Sequence, residues 1–258
     1  MPTVEENLHI WDGGYDWSQA GDEWSKPWGS VEAEWYGTIF PRIHAFVPTG
    51  TILEIAPGCG RWTQMLKELC ERLIVVDLSR ICIKACQRRF RLERHITYHV
   101  NDGKSLEMVP DGSVDFAFSF ASLTIVEDDV IEAYLTQLAR KLTPDGIGFI
   151  HHSNIGEYVD GSTGNLPFYI KDRGLHAKSM TAKRFRELCR AAGLRCVSQE
   201  LINWGKDVDI INECYSVFTH PNSKWARPLR VLINHRFMDE VRYLSRVMRL
   251  YTKPSFRK

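Results

Sequence analysis

The sequence predicts an α/β fold in which a mainly parallel β-sheet is covered by helices on both faces. Short apolar segments of strand length alternate with amphipathic segments of helical length through the middle of the chain, which is typical of parallel strands joined by helices. Two strand-like segments then follow each other with no helix between them, so we expect an antiparallel hairpin at one edge of the sheet. Together these segments predict a seven-stranded sheet.

Five strands are predicted in the alternating region, namely "TILEIA", "LIVVDLS", "HITYHV", "VDFAFSF" and "IGFIHH". The helices between them are predicted at "RWTQMLKELCE", at residues 79–91 and at "EDDVIEAYLTQLARKL". A further helix, "TAKRFRELCRAAG", has Thr181 as its expected N-cap and Gly193 as its stop signal. The two hairpin strands are "LRCVSQELINW" and "INECYSVFTH".

The chain divides into three parts. Residues 1–49 are expected to form an aromatic lid and a helix, and residues 50–220 the core, with an insertion at about 153–178. Residues 221–258 are expected to form a basic amphipathic helix. Its apolar side either packs on the core or joins a second copy of the chain in a homodimer, and that side carries Phe237, Val241, Leu244, Val247 and Leu250.

Composition excludes several classes of protein. The formal net charge of +1 gives no general attraction to nucleic acid, and no stretch reaches the roughly 18 apolar residues of a membrane span. The first residues lack the basic and apolar segments of a signal peptide, and none of the seven cysteines forms a CxxC pair. We therefore expect a cytoplasmic protein with reduced thiols, no nucleic-acid partner and no membrane span.

Candidate ligand-binding residues follow the first two predicted strands. Such sheets bind ligands at the carboxyl ends of their strands. Gly58 and Gly60 allow a tight turn there, and Asp77 ends the second strand, 17 residues after Gly60, where a carboxylate suits the two hydroxyls of a ribose. A dinucleotide fingerprint needs a small residue where Thr63 stands beside Trp62, so the sequence disfavours NAD.

Two further acidic residues lie at this rim. Glu54 precedes the glycine turn, and its carboxylate suits a cofactor with a cationic end. Asp102 follows the third strand, where it either accepts a hydrogen bond from an adenine amino group or caps an Asx-turn before Gly103.

The segments "ILEIAPGCGRWT", "VVDLS", "NDG" and "LARKLTPDGIGFI" resemble the class I S-adenosylmethionine-dependent methyltransferases across residues 50–152. The resemblance implies a Rossmann-like fold and S-adenosylmethionine as cofactor. It further implies that the methionine end is held by Glu54, Ala56, Gly58 and Gly60, the ribose by Asp77, the adenine by Leu78, Asp102 and Gly103, and the cofactor floor by the backbone of Ser119.

A narrower likeness concerns the segments "GYDWSQAGDEWSKPWGS", "GRWT", "HHSN" and "SQELINWG". They are similar to bacterial methyltransferases of polysaccharide clusters, including enzymes that O-methylate mannose-containing glycans. This likeness implies a sugar or glycan hydroxyl as methyl acceptor. The N-terminal segment, with Tyr15, Trp24 and Trp28, then serves either as a lid over the cofactor or as an aromatic anchor on the core.

The sequence departs from metal-dependent sugar O-methyltransferases, which often carry the pattern D-S-L-x-H after the fourth strand. Ala121 stands where the Asp is expected and Ile125 where the His is expected, and neither side chain binds metal or accepts a proton. We therefore expect no divalent metal.

The remaining candidate bases are histidines, because a sugar hydroxyl benefits from a general base. His151 and His152 end the fifth strand, and His176 lies in the insertion. Neighbouring strand residues face opposite ways, so at most one of the first two faces the substrate, and the alternative is a histidine that caps backbone groups.

Two other functions stay open. An N- or S-methyltransferase of a small metabolite would explain the absent Asp and His, because amines and thiols need less help from a base. A chain that keeps the fold and cofactor as a non-catalytic partner is the third hypothesis.

Overall fold

The computed structural model describes residues 3–170, 176–205 and 207–251. Part of the predicted insertion, residues 171–175, and the last residues of the predicted C-terminal helix, 252–258, lie outside the described residues. The helices are α1 (Val4–His9), α2 (Val31–Glu34), α3 (Phe40–Ile43), α4 (Thr63–Leu66), α5 (Arg80–Arg89), α6 (Asp128–Lys141), α7 (Ala182–Ala191) and α8 (Phe237–Tyr251). Short 3-10 or π-helical turns occupy Ile10–Gly14, Trp17–Gln19, Asp22–Ser25, Trp35–Ile39, Lys67–Leu69 and Ile155–Tyr158.

One sheet runs through the described part of the chain. Its strands are β1 (Thr49–Ile55), β2 (Cys70–Asp77), β3 (Ile96–Val100), β4 (Val114–Leu123), β5 (Leu142–Ser153), β6 (Arg195–Ile202), β7 (Glu213–Thr219) and β8 (Arg230–Asn234). Their order is β3-β2-β1-β4-β5-β7-β6-β8. Strands β1 to β5 pair in parallel, β7 is antiparallel to β5 and β6, and β8 is parallel to β6. The predicted mainly parallel α/β sheet is confirmed.

The sheet separates two apolar cores, as the alternation of its strands requires. On β4, Phe116 and Phe118 belong to one core and Ala117 to the other. The first core is closed by residues of α2, α4, α5 and α8, and the second by residues of α6 and α7. Helices therefore cover both faces, and the carboxyl ends of β1, β2 and β4 remain at one rim.

The predicted strand count was wrong by one. β8 is an eighth strand in a segment predicted to be helical, and the helix that follows begins only at Phe237. The aliphatic run Val231 to Ile233 extends the sheet beyond β6, and all three of its side chains are more than half exposed. The predicted antiparallel hairpin, β6 with β7, is therefore not at the edge of the sheet, because β8 pairs with β6 and is the edge strand.

Much of the apolar side of helix α8 packs against other residues of the same chain. Phe237 and Val241 are buried in the first core, and Leu244 lies against Gly37. A homodimer through α8 stays a prediction.

The predicted start and stop of α7 are confirmed, since the Thr181 hydroxyl accepts from Arg184 N and Gly193 has a φ of +79°. Within the described residues, no helix has the length and apolar character needed to cross a bilayer.

Gly148 gives a test of the sheet's packing. It pairs with Phe218 across β5 and β7, and a Cβ at Gly148 would lie 2.1 Å from the Phe218 ring. Phe218 is fully buried, so Gly148→Ala should destabilise the protein by about 1–3 kcal/mol, as overpacking of a core does. Urea unfolding measures this loss. Gly161→Ala is the control, because nothing lies within 4 Å of a Cβ there, and equal midpoints for the two variants would contradict the packing.

Candidate functional site

A cavity lies at the carboxyl ends of β1, β2 and β4, beneath the N-terminal segment. Its wall is formed by the loop after β1, the end of β2, the end of β4 and several N-terminal aromatic side chains. The lining residues are Asn7, Trp11, Trp17, Ala20, Trp24, Ala56, Pro57, Gly58, Arg61, Trp62, Val76, Asp77, Leu78, Cys82, Gly103, Phe120, Ala121, Ser122, Leu123, Ile125, Val126 and Tyr134.

The loop after β1 is held against the end of β2. Gly58 N donates to Asp77 Oδ2 at 3.1 Å, and the φ of Gly58 is +56°. Gly60 has a φ of +90° but is not a lining residue, and a Cβ there would lie 2.5 Å from the Phe90 ring. Gly58 therefore shapes the cavity directly, whereas Gly60 lets the turn pack against Phe90.

Asp77 is the buried acid of the cavity wall. Its Oδ1 accepts from Ser79 N at 2.7 Å and its Oδ2 accepts from Gly58 N. Burial raises the pKa of Asp77 to about 7, against the lowering effect of these backbone donors. A carboxylate has about four acceptor positions, so Asp77 retains capacity to accept from the hydroxyls of a ligand.

Glu54 lies on β1 just behind the cavity wall. Its Oε2 accepts from the Thr63 hydroxyl at 2.6 Å, while its buried Oε1 has no hydrogen-bond partner in the described structure. Burial raises the pKa of Glu54 to about 8. An unpaired buried oxygen is costly, and a cationic ligand group would relieve that cost.

The other predicted cofactor residues divide into two groups. Ala56, Leu78 and Gly103 line the cavity. Asp102 does not, since its Oδ1 accepts from the backbone N–H groups of Lys104 and Ser105 at 2.9 and 2.6 Å. That geometry is the turn-capping alternative. Ser119 is buried below the cavity, and its hydroxyl has no partner among the described residues.

Four N-terminal aromatic residues, Trp11, Tyr15, Trp17 and Trp24, form a cluster over the cavity. Every pair of rings in this aromatic cluster has centroids 4.8–5.9 Å apart. Trp28 lies elsewhere, buried against Trp204 with its Nε1 donating to the Thr38 hydroxyl at 2.8 Å. Trp24 therefore lines the cavity as the lid hypothesis requires, and Trp28 serves as an anchor on the core.

Asp12 fixes this cluster to the core. Its Oδ1 accepts from the Ser79 hydroxyl at 2.8 Å and from Ile81 N at 2.9 Å, at the start of α5. The Trp17 Nε1 donates to Trp11 O at 3.0 Å, and Trp17 closes over Gly58, where a Cβ would lie 3.0 Å from its ring. Sequence reasoning named Tyr15 and Trp24 but not Trp11 or Trp17, although all four share one short stretch.

Arg61 is a cavity residue that sequence reasoning missed. It is 5% exposed, and its Cζ lies 5.3 Å from the Trp24 ring and 4.4 Å from the Trp62 ring. The signal that would have identified it is its position directly after Gly60, at the turn of the motif.

The three non-glycine residues with positive φ all line this cavity. Ala20, Ala56 and Ala121 have φ values of +57°, +57° and +58° among the described residues. Such conformations are strained for residues with a Cβ, and their concentration around one cavity is typical of functional sites.

Comparisons with known proteins agree with this geometry. Residues 52–146 match the family model described as a methyltransferase domain. This stretch of the chain is therefore similar to a methyltransferase domain.

Phosphoethanolamine N-methyltransferase 1 of Triticum aestivum is 27% identical to this chain over 143 residues, which cover 54% of the chain. Those residues span only 29% of that relative's own length. The chain also resembles two solved structures in fold. The PH0226 protein from Pyrococcus horikoshii OT3 has a TM-score of 0.56 at 16% identity, covering 74% of this chain and 92% of that protein. An S-adenosylmethionine dependent methyltransferase from Mesorhizobium loti has a TM-score of 0.55 at 18% identity, covering 74% and 98%. The predicted Rossmann-like methyltransferase fold is confirmed.

The two candidate histidines, His151 and His152, face opposite sides of β5. His151 is buried, its Nδ1 accepts from Ala121 N at 3.1 Å, and its Nε2 lies 2.6 Å from Glu213 Oε2. The second Glu213 oxygen, Oε1, lies 2.6 Å from His176 Nε2. Burial tends to raise the pKa of Glu213, but the two histidines outweigh it and lower that pKa to about 2.

His152 is a buried residue whose hydrogen bonds are all made by the core. Its Nδ1 lies 2.8 Å from Ser153 O, its Nε2 lies 2.8 Å from the Ser216 hydroxyl, and its ring stacks on Phe185 at 4.4 Å. Neither His152 nor His151 lines the cavity. The backbone-capping alternative therefore describes His152, and His151 lies one layer behind the cavity wall.

Ala121 and Ile125 both line the cavity. The two positions matched in the sequence with the Asp and His of metal-dependent sugar O-methyltransferases therefore lie at the cavity, with apolar side chains. In the described ranges, no three His, Cys, Asp or Glu residues are grouped so that they could hold a metal ion.

The buried His152 gives a prediction for pH. Burial lowers its pKa from 6.5 to about 3, so the unfolded chain takes up this proton first as the pH falls. The contribution of neutral His152 to the free energy of unfolding is therefore complete above about pH 6.5. Below that pH the free energy of unfolding falls by up to about 1.4 kcal/mol per pH unit. Urea unfolding at pH 7, 6 and 5 should show this loss in the wild type and a smaller loss in His152→Gln. Parallel pH dependence of the two proteins would contradict the assignment.

Proposed function

We propose that this chain is an S-adenosylmethionine-dependent methyltransferase of a small molecule. The observation that carries the proposal is the pair of buried acids at the ends of neighbouring strands, with Asp77 in the cavity wall and Glu54 directly behind it. A nucleoside with a cationic amino-acid end has a hydroxyl pair for the first acid and an ammonium for the second.

The residues present fit this cofactor. The unpartnered Glu54 Oε1 is available to an ammonium, and Asp77 keeps free acceptor positions for ribose hydroxyls. Leu78, Val126 and Ile125 supply an apolar surface for a purine. The bound cofactor supplies an electrophilic methyl group, and the chain's task is to align an acceptor with it and to exclude water. The aromatic cluster excludes water from the cavity.

The acceptor that the wall favours is an amine or a thiol. Among the described residues that line the cavity, Asp77 is the sole carboxylate and none is a histidine. A sugar hydroxyl would need a base to remove its proton, a contribution of about 10²–10⁴-fold in rate. An amine that is unprotonated or a thiolate attacks without that help. The name of the wheat relative, a phosphoethanolamine N-methyltransferase, supports the amine as the first choice.

O-methylation of a sugar or glycan hydroxyl remains the second candidate. One observation favours it, namely the 2.6 Å contact between His151 and Glu213 close behind Ala121. For this reaction His151 would have to give up its bond to Ala121 N and reach the cavity. A non-catalytic partner that retains the cofactor would show binding without transfer.

Cofactor binding is tested with Asp77→Ala. Removing a buried acceptor of ligand hydroxyls should weaken S-adenosylmethionine binding by about ten- to a hundredfold, measured by calorimetry. The control is Asp115→Ala, since Asp115 also accepts from a backbone N–H, that of Thr51, but lies at the start of β4, at the opposite end of the sheet. Equal affinities of Asp77→Ala and the wild type would overturn the ribose assignment.

The acceptor class is tested with methyl-labelled S-adenosylmethionine and matched amines, thiols and sugars. We expect transfer to amines or thiols, with a rate that rises as the acceptor loses its proton and that survives a metal chelator. Phosphoethanolamine and ethanolamine belong in the amine group. Transfer to sugars alone would favour the second candidate, and a strict need for a divalent metal would contradict the apolar wall at Ala121 and Ile125.

A further inference from the structure

Arg61 is the one cationic side chain among the described residues of the cavity wall. It is almost completely buried, where an ion is costly unless something compensates its charge. Its hydrogen bonds within the described structure are made through Nη1, at 3.3 Å to the Ser25 hydroxyl and 3.4 Å to Glu34 Oε2. Charge-assisted bonds are usually about 2.7–2.9 Å long, so both contacts are weak.

The carboxylate beside Arg61 compensates its charge incompletely. Glu34 is fully buried, and burial raises its pKa to about 7 against the opposing effect of Arg61. Burial thus disfavours the ionised form of Glu34, which weakens its compensation of the charge on Arg61. Two further acids face Arg61, and each has one oxygen with a donor of its own, because Asp22 Oδ2 pairs with Arg89 at 3.3 Å and Glu23 Oε1 accepts from the Tyr15 hydroxyl at 2.5 Å. Their second oxygens have no hydrogen-bond partner in the described structure, so neither is bonded to Arg61.

The guanidinium is also held in a geometry suited to oxyanions. It lies over the rings of Trp24 and Trp62, at 5.3 and 4.4 Å. A guanidinium stacked on aromatic faces keeps its N–H donors in its own plane, where they match the two oxygens of a carboxylate or phosphate. No hydrogen bond of Arg61 Nε or Nη2 is found within the described residues, and neither atom is among the buried atoms without a partner there. These donors therefore keep some exposure, on a side chain that lines the cavity.

We propose that Arg61 recognises an acidic group, a carboxylate or a phosphate, on the methyl acceptor. The inference rests on the proposed methyltransferase function and adds the substrate class. It assigns the anion to the acceptor because three of the neighbours of Arg61, Trp24, Ser25 and Glu34, belong to the N-terminal segment. The acids expected to hold the cofactor, Glu54 and Asp77, belong to the core strands.

The test uses the full chain saturated with S-adenosylhomocysteine, so that the cofactor carboxylate already occupies its own place. The probes are inorganic phosphate, acetate and, as a neutral match for acetate, acetamide. Tryptophan fluorescence reports binding, since Trp24 and Trp62 contact Arg61. We expect phosphate or acetate, but not acetamide, to change the fluorescence, and Arg61→Gln to weaken that binding by about ten- to a hundredfold.

Two variants separate recognition from a purely structural role. Arg42→Gln is the matched control, because Arg42 is also mostly buried, lies over aromatic rings and pairs with a carboxylate, that of Glu200, but does not line the cavity. It should leave anion binding unchanged. Glu34→Gln removes the competing carboxylate and should tighten anion binding. Far-UV circular dichroism and thermal unfolding check that each variant is folded.

The source of the anion is settled by the cofactor itself. The affinities of S-adenosylhomocysteine and methylthioadenosine, which lacks the amino-acid end, are compared in wild type and Arg61→Gln. If Arg61→Gln leaves the ratio of the two affinities unchanged, the anion that Arg61 binds belongs to the acceptor. If Arg61→Gln lowers the ratio towards one, Arg61 holds the cofactor carboxylate, and the proposal is overturned. Anion binding that is absent, or equal in the wild type and Arg61→Gln, would also overturn it. Failure of the methyltransferase function differs from all of these, because then either no S-adenosyl ligand would bind or bound S-adenosylmethionine would transfer its methyl group to no acceptor.

Discussion

The carboxylate of Asp77 connects three parts of the molecule that are distant in sequence. One oxygen accepts from Gly58 N and fixes the loop after β1, and the other accepts from Ser79 N and fixes the chain after β2. The Ser79 hydroxyl in turn donates to Asp12, which brings the N-terminal segment over both. Displacing this carboxylate would break the hydrogen bonds that connect the loop after β1, the chain after β2 and, through Ser79, the N-terminal segment.

This arrangement concentrates energetic costs at the cavity. Burial raises the pKa of Glu54 and of Glu34, to about 8 and about 7, and each leaves one oxygen unpaired in the described structure. Left-handed backbone at Ala56 and Ala121 adds strain. The aromatic cluster and the two apolar cores stabilise the fold against these costs, and a ligand that pairs the buried acids would recover part of them.

Sequence patterns predicted the parts of the site that depend on strand ends. Asp77 and Gly58 lie where the alternation of strands and turns placed them, because backbone geometry alone brings the carboxyl ends of parallel strands together. Arg61 and Trp11 were missed because their roles depend on how the N-terminal segment docks, which no local pattern encodes. Trp28 and Trp24 are similar in sequence context, yet one is buried beside Trp204 and the other lines the cavity. The strand β8 was missed because its short aliphatic run joins a helical segment.

The adjacent histidines show how a residue type suited to catalysis can be used for structure. An amide N–H can only donate, so the bond from Ala121 N requires an unprotonated Nδ1 on His151 and leaves its Nε2–H to donate to Glu213. Glu213 Oε2, as the acceptor of that bond, fixes the tautomer. Protonation of His151 at Nδ1 would break its bond to Ala121, one of the strained residues of the cavity wall. In this geometry His151 therefore cannot hold Ala121 and accept a proton at Nδ1 at the same time. Positioning of the wall, rather than proton removal, is the role that the hydrogen bonds of His151 support.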